Sequence, residues 1–469
     1  MASPDGEAAT RERRALRKWP RGLAAAIRIL NRGGARVVAM YAVGQAVIFV
    51  TTMARVPLTL AAVGTTGYGL TLVLVALVPW LLLIVGSFTS LVRARASELA
   101  AGSSEQLSLL LTTTMHKARR LSFGMAVVAG LSILVPWQHV FATGDTIGPL
   151  ALKVAVLLVG LTCASTAFGA VSTGLLQASG RTAETNLYPA CAALLSLGLT
   201  VFAWSLHLSI VWFVIPGLVS ACAPFWIATI RAREMSRPRA HKEVSTGRLT
   251  ADVADHNVTF QRLAIAAGAT APPLFSTGLD PIILSHARGL ADTAQYGLAI
   301  RLAVLVTLLP SALYPVYWAR FGRLRSGSAT SELRRAVGRA LAYVAGGTAI
   351  LGALFALLGP LAGKALSNGH INPDRSLYAW FAILGLLAAI QTVLLPAVGG
   401  EQTARRVAIV VFALIPVNWC VSYLLAARTG LGVSGPVVAS ISASVVIIGT
   451  CTKLLTTSST RESTSAEPA

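Results

Sequence analysis

Twelve apolar stretches long enough to cross a bilayer follow one another between residues 37 and 454, and only short connectors separate most of them. About 20 helical residues cross the hydrocarbon layer, where lipid offers a backbone amide no partner outside its own helix. The stretches lie at 37–60, 67–92, 119–140, 148–176, 186–206, 209–230, 263–287, 293–319, 337–360, 376–398, 404–425 and 431–454. This pattern predicts an all-α integral membrane protein with twelve transmembrane helices. Charged residues make up 12% of the chain, about half of what a soluble domain carries. Several stretches contain proline (Pro79, Pro216, Pro272, Pro273, Pro310, Pro315, Pro416), so kinked helices are expected.

The net charge of +21 would fit a nucleic-acid binder, but its placement argues otherwise. The basic residues lie in the connectors, where a bias toward one face fixes the orientation of a membrane chain. With both termini cytoplasmic, 32 of the 39 Lys and Arg fall on the inner side. Arg55, Lys153, Arg288, Arg301, Lys364, Arg375 and Arg428 are the remainder. A miscounted span would scramble that alternation. Residues 1–36 read as a basic cytoplasmic leader, in which Leu23, Ile27 and Leu30 are spaced for an amphipathic helix on an anionic surface. A solvated tail that only sets topology is the other reading, and no signal-peptide cleavage pattern is present.

The polar connector 231–262 divides the spans into six and six, at 37–230 and 263–455, with 456–469 left as a disordered cytoplasmic tail. The halves echo one another. Tyr68-Gly69-Leu70 precedes a glycine-containing segment at Gly102, and Tyr296-Gly297-Leu298 precedes a similar one at Gly327. Leu175-Leu176-Gln177-Ala178 recurs loosely as Leu394-Leu395-Pro396-Ala397. Six is even, so the halves share one orientation and form parallel repeats, two bundles flanking a central cavity.

Chemistry-bearing residues inside the spans are few. Asp280 is a carboxylate well inside an apolar stretch, where a charge costs about 3 kcal/mol or more unless it is paired or functional. Arg55 and Arg301 are the intramembrane cations, able to hold a phosphate or to snorkel to the interface. Asp280 stands ahead of Tyr296 much as Arg55 stands ahead of Tyr68, and three roles fit it. It pairs with Arg55 or Arg301 as a gate, carries a coupling proton or Na⁺, or forms a permanent structural ion pair. Gln45, Gln391 and Asn418 are cavity candidates, with helix–helix hydrogen bonding as the plainer role. Pro272, Pro273, Gly278 and Pro281 break the seventh span and mark a hinge. The five cysteines and seven histidines show no metal spacing, so neither a metal nor a cofactor is expected.

The run from Arg55-Val56-Pro57-Leu58 to Val63-Gly64-Thr65-Thr66-Gly67-Tyr68-Gly69-Leu70 resembles the opening pattern PLLLRxLGxxxYGL of the polysaccharide-exporter branch of the multidrug/oligosaccharidyl-lipid/polysaccharide (MOP) flippase superfamily, the Wzx-type O-antigen flippases. Asp280-Pro281-Ile282-Ile283-Leu284, with Gln295-Tyr296-Gly297-Leu298 and Arg301, resembles the start of that family's second half. The resemblance implies a fold like that of the multidrug and toxin extrusion (MATE) proteins, alternating access, and a lipid-linked oligosaccharide on a polyprenyl diphosphate carrier. Membrane lipids, a polysaccharide polymerase and glycosyltransferases are the implied partners, in the bacterial cytoplasmic membrane. Two transporter alternatives remain, a MATE-like cation-coupled drug antiporter and a lipid II flippase, though the latter usually has fourteen spans. A membrane glycosyltransferase or polymerase is disfavoured, because the external loops are short and the first, near 61–66, has no acidic residue.

Overall fold

The structure, a computed structural model, describes residues 32–78, 83, 86–87, 89, 92, 104–141, 147–179, 181–236, 278–326, 330–372, 374–398 and 401–464. Among them every long element is a helix. The first helical run, Arg32–Val75, is two helices joined at Gly64, whose φ of 69° reverses the chain; glycine reaches that region without a Cβ clash. We label its arms α1 (32–63) and α2 (65–75), with further helical positions as far as Val92. The N-terminal half continues with α3 (Ser104–Leu131), α4 (Pro149–Ala178), α5 (Tyr188–Ser205) and α6 (Ile210–Ser236). The C-terminal half comprises α7 (Asp280–Ala287), α8 (Leu290–Ser326), α9 (Thr330–Leu366), α10 (Arg375–Val398), α11 (Glu401–Arg428) and α12 (Gly435–Thr464).

Twelve helices therefore stand where twelve were expected, and the chain is a multi-pass membrane protein. The expected leader (1–36) and connector (231–262) lie largely outside the described residues, as do Pro272 and Pro273. Two boundaries shift. α8 and α9 have 37 residues each, about 55 Å of helix, so both project past the expected spans 293–319 and 337–360. The tail expected from residue 456 continues α12 as far as Thr464.

The parallel repeat shows in which helices touch. α4 packs against α3 and α6, and α10 packs against α9 and α12. α5 lies on α6 and α1, and α11 lies on α12 and α7. Adding six to each N-terminal partner gives its C-terminal counterpart, as two parallel six-helix bundles require. Each half also has its own core. Leu70, Val73, Leu152, Val159 and Val214 form one in the first bundle. Tyr296, Leu302, Phe355, Phe381 and Ala426 form one in the second, and Val344, Val393, Val411 and Ile447 another.

A separate cluster joins the halves: Val56 and Leu60 of α1, Tyr68 and Leu72 of α2, Ala294 and Leu298 of α8, and Ile371 from the turn before α10. Two of the repeat signatures meet there. A Cβ on Gly69 would strike the backbone oxygen of Leu290, and one on Gly297 would strike Leu72 Cδ1. Gly69 thus lets the α2 backbone lie against the backbone of α8, and Gly297 leaves room for the Leu72 side chain. Gly289, with φ 94°, provides the second sharp turn at this membrane face. The seam sits on the face bearing the Gly64 and Gly289 turns, opposite the basic connectors.

Overpacking costs about 1–3 kcal/mol, and the Leu290 carbonyl is fixed backbone, so Gly69→Ala should part the bundles at this face. Spin labels on cysteines at exposed Thr66 and Ala291, in a background without the five native cysteines, should report a longer distance than in the parent. An unchanged distance distribution would show that the seam is not held by this contact.

Candidate functional site

Beside the seam, Arg55 of α1 and Arg301 of α8 come together around one ring. The Arg301 guanidinium carbon lies 5.1 Å from the centroid of the Tyr68 ring, a cation–π contact worth about 0.5–2 kcal/mol. Arg55 interacts electrostatically with both Arg301 and Tyr68. It is anchored on its own bundle, where Nε donates to Thr200 Oγ1 of α5 at 3.1 Å. Thr200 donates in turn to the Ser196 carbonyl, and Ser196 donates to the carbonyl of Pro216 in α6. This chain of bonds fixes Arg55 from behind and leaves the rest of its guanidinium free to point at the seam.

Two tyrosine hydroxyls complete the site. Tyr68 and Tyr378 are fully buried, and neither hydroxyl has a hydrogen-bond partner among the described residues. Tyr378 packs on Phe355 at 5.2 Å between ring centroids. A buried donor without a partner costs about 1–3 kcal/mol. Neither arginine forms an ion pair with a carboxylate among the described residues. Two cations without a carboxylate partner and two hydroxyls without a hydrogen-bond partner among the described residues thus come from four helices (α1, α2, α8, α10), and each is a kind of group that an anion can satisfy.

Asp280 goes elsewhere. It opens α7, is 2% exposed, and accepts a hydrogen bond from the Tyr296 hydroxyl at 2.5 Å. The expected pair between Asp280 and an arginine is therefore not formed in this structure. Sixteen residues separate Asp280 from Tyr296, and the reversal at Gly289 folds α7 back on α8 so that the two side chains meet. The tyrosines of the two Tyr-Gly-Leu segments therefore meet different partners, Tyr296 an aspartate of its own half and Tyr68 an arginine of the other half.

The remaining candidates separate into different roles. Pro281 occupies the first turn of α7, where a missing amide hydrogen breaks no helical bond. It starts a helix and does not kink one, while buried Gly278 precedes it in irregular backbone. Gln391 is buried and donates to the Ser444 carbonyl at 3.4 Å, tying α10 to α12. Asn418 is buried with Oδ1 unpartnered. Gln45 is half-buried on α1. Tyr68 and Tyr296 stood out in the sequence only as repeat markers, although a tyrosine hydroxyl that must be buried in lipid is itself a sign of a polar site. Tyr378 and Thr200 carried no such sign.

These features define a twelve-helix membrane protein of two parallel bundles with a charged seam, and known structures share that architecture. An inward-facing multidrug resistance MATE family transporter of the MOP superfamily superposes with a TM-score of 0.65 at 12% identity, over 87% of this chain and 94% of that one. The outward-facing conformation of such a transporter gives 0.56 at 14% identity, over 90% and 95%. A MATE in the bent conformation gives 0.56 at 14% identity, over 92% and 97%. No family profile and no curated protein matches the sequence. The fold is that of the MATE transporters.

The Asp280–Tyr296 contact makes a specific prediction. Tyr296→Phe removes the carboxyl group's hydrogen-bond donor and should lower the melting temperature in detergent. In an Asp280→Asn background the same change should cost clearly less, giving a coupling of about 1 kcal/mol or more. Additive effects in this double-mutant cycle would mean that the two groups do not depend on each other.

Proposed function

We propose that this protein is a flippase that carries a polyprenyl-diphosphate-linked oligosaccharide from the inner to the outer leaflet of the bacterial cytoplasmic membrane. It would serve surface polysaccharide biosynthesis, with the two bundles giving alternating access. One observation carries the reading: Arg301 of one bundle lies over Tyr68 of the other, Arg55 is near enough to repel it, and neither arginine pairs with a carboxylate among the described residues. Such a site suits an anionic cargo. Guanidinium groups bind phosphate oxygens bidentately, and they do so most strongly away from water.

The mechanism needs no bond to break. The cargo's diphosphate and sugars must be sheltered from hydrocarbon while its prenyl tail stays in lipid. Because one arginine belongs to each bundle, both can hold the diphosphate only while the seam is closed. When the bundles part at the seam, the anion keeps at most one of its arginines and is released there. The positive-inside bias puts both termini in the cytoplasm and the seam at the outer face, so release would be outward. The lipid-linked glycan is the partner this reading requires, alongside membrane lipids and the polymerase or glycosyltransferases that use the product.

A second reading, a MATE-like cation-coupled drug antiporter, is favoured by the fold and by Asp280, a buried carboxyl able to carry a proton. Proteoliposomes separate the two. With a fluorescent polyprenyl-diphosphate oligosaccharide, the wild type should speed its appearance in the opposite leaflet, and Arg301→Gln should slow it by about tenfold, the loss of one charge-assisted contact. Asp280→Asn at normal abundance with unchanged transfer would remove a gating or coupling role for that residue. Extrusion of a cationic dye driven by a proton or Na⁺ gradient, without glycolipid movement, would favour the antiporter and overturn the flippase reading.

A further inference from the structure

Arg55 and Arg301 are held in unlike ways. Arg301 lies over the face of Tyr68, and it donates no hydrogen bond among the described residues. Arg55 donates one, from Nε to Thr200 Oγ1 at 3.1 Å. A guanidinium has two forks that match a phosphate, the terminal pair of Nη groups and the side pair of Nε with one Nη. With Nε taken, the side fork is closed and the end fork remains.

Thr200 is committed to this bond. Its one proton goes to the Ser196 carbonyl at 2.9 Å, so toward Arg55 it presents only lone pairs. Ser196, one turn earlier on α5, is tied by its own hydroxyl to the Pro216 carbonyl of α6 at 2.6 Å. Both Ser196 and Thr200 are 0% exposed, whereas Arg55 is half-buried. A ligand arriving at the seam therefore meets the guanidinium and not the hydroxyl behind it. A threonine inside a helix usually bonds only to its own preceding turn. This one does so and also accepts from a helix 145 residues away in sequence.

We propose that Thr200 is a positioning residue for anion binding: it orders Arg55 before the ligand arrives, so that the end fork of the guanidinium faces the phosphate. The proposal rests on the anion-binding reading of the seam given above and adds what sets its affinity. A free arginine side chain loses rotamer freedom when it grips a ligand, and that loss weakens binding several-fold. With Thr200 in place the ordering is complete on folding. Because the bond lies within the first bundle, Arg55 stays ordered with the seam open, when Arg301 has left Tyr68.

Calorimetric titration of the full chain in detergent tests this, with farnesyl diphosphate as probe and farnesol as the same tail without the anion. The wild type should prefer the diphosphate. Thr200→Val keeps the shape, removes the acceptor and should weaken diphosphate binding by about fivefold. Thr200→Ser restores the hydroxyl and should bind as the wild type does. In an Arg55→Met background, which has no guanidinium to orient, Thr200→Val should change binding by less than about twofold. Equal losses in both backgrounds would trace to the packing of α5 and would overturn the positioning role, as would wild-type affinity in Thr200→Val. A wild type indifferent between farnesyl diphosphate and farnesol would instead overturn the anion site itself, and this proposal with it. A further measurement needs no change at Thr200. In protein carrying ¹⁵N-labelled arginine, the Nε–H signal of Arg55, assigned by its loss in Arg55→Met, should exchange with water more slowly than the bulk of the arginine signals. Rapid exchange there would show that Thr200 does not hold the side chain and would overturn the proposal.

Discussion

The two bundles can meet because glycine stands at two points where they touch. At Gly69 the α2 backbone is pressed against the carbonyl of Leu290, the first residue of α8, and at Gly297 the α8 backbone is pressed against Leu72. Lipid tails are as apolar as leucine, so burying Val56, Leu60 and Leu298 in the seam gains little hydrophobic free energy against leaving them in lipid. Close packing and polar contacts must hold it instead. That places the weight on the glycines, which permit the approach, and on the Arg301–Tyr68 contact it allows. It also makes the seam reversible, because no large hydrophobic term opposes its opening.

The same close approach explains why the charges sit where they do. Arg301 reaches Tyr68 only when α8 lies against α2, so the cation–π contact reports the closed state. Arg55 is different, because Thr200 holds it on its own bundle in either state. Of the two arginines, one is therefore a fixed part of the first bundle and the other arrives with the second. Their mutual repulsion works against closure, and an anion between them turns that repulsion into attraction for both. The proposed anionic cargo would shift the balance of such a seam by its differential contacts with the closed and open arrangements.

Much of the architecture was legible in the sequence because lipid leaves the backbone so few choices. Twelve apolar lengths, an even split and the recurrence of Tyr-Gly-Leu were enough to give twelve helices and parallel bundles. Arg55 and Arg301 could be picked out because a charge in an apolar stretch is expensive wherever it points. Partnership was not legible. Asp280 was expected to seek an arginine, since opposite charges attract, but α7 and α8 form a hairpin and local chain reversal decides the contact before long-range attraction can. Tyr378 lies in an apolar run with nothing to mark it, and only the packing of α10 against α8 and α9 buries it beside Phe355.

The contrast between Asp280 and the arginines bears on which groups can move charge. The Asp280–Tyr296 contact is internal to the second bundle, linking α7 to α8 across the Gly289 turn, so rocking of one bundle against the other need not break it. The arginines span the interface and must change their surroundings whenever it opens. Coupling between the two requires a link through α8, which carries both Tyr296 and Arg301. Five residues separate them, less than one and a half turns, so a movement of α8 against α7 would disturb both contacts at once, whereas rocking of the whole second bundle would disturb only the contact of Arg301 with Tyr68. That turn of α8 is the shortest covalent path between the Asp280–Tyr296 contact inside the second bundle and the Arg301–Tyr68 contact across the seam.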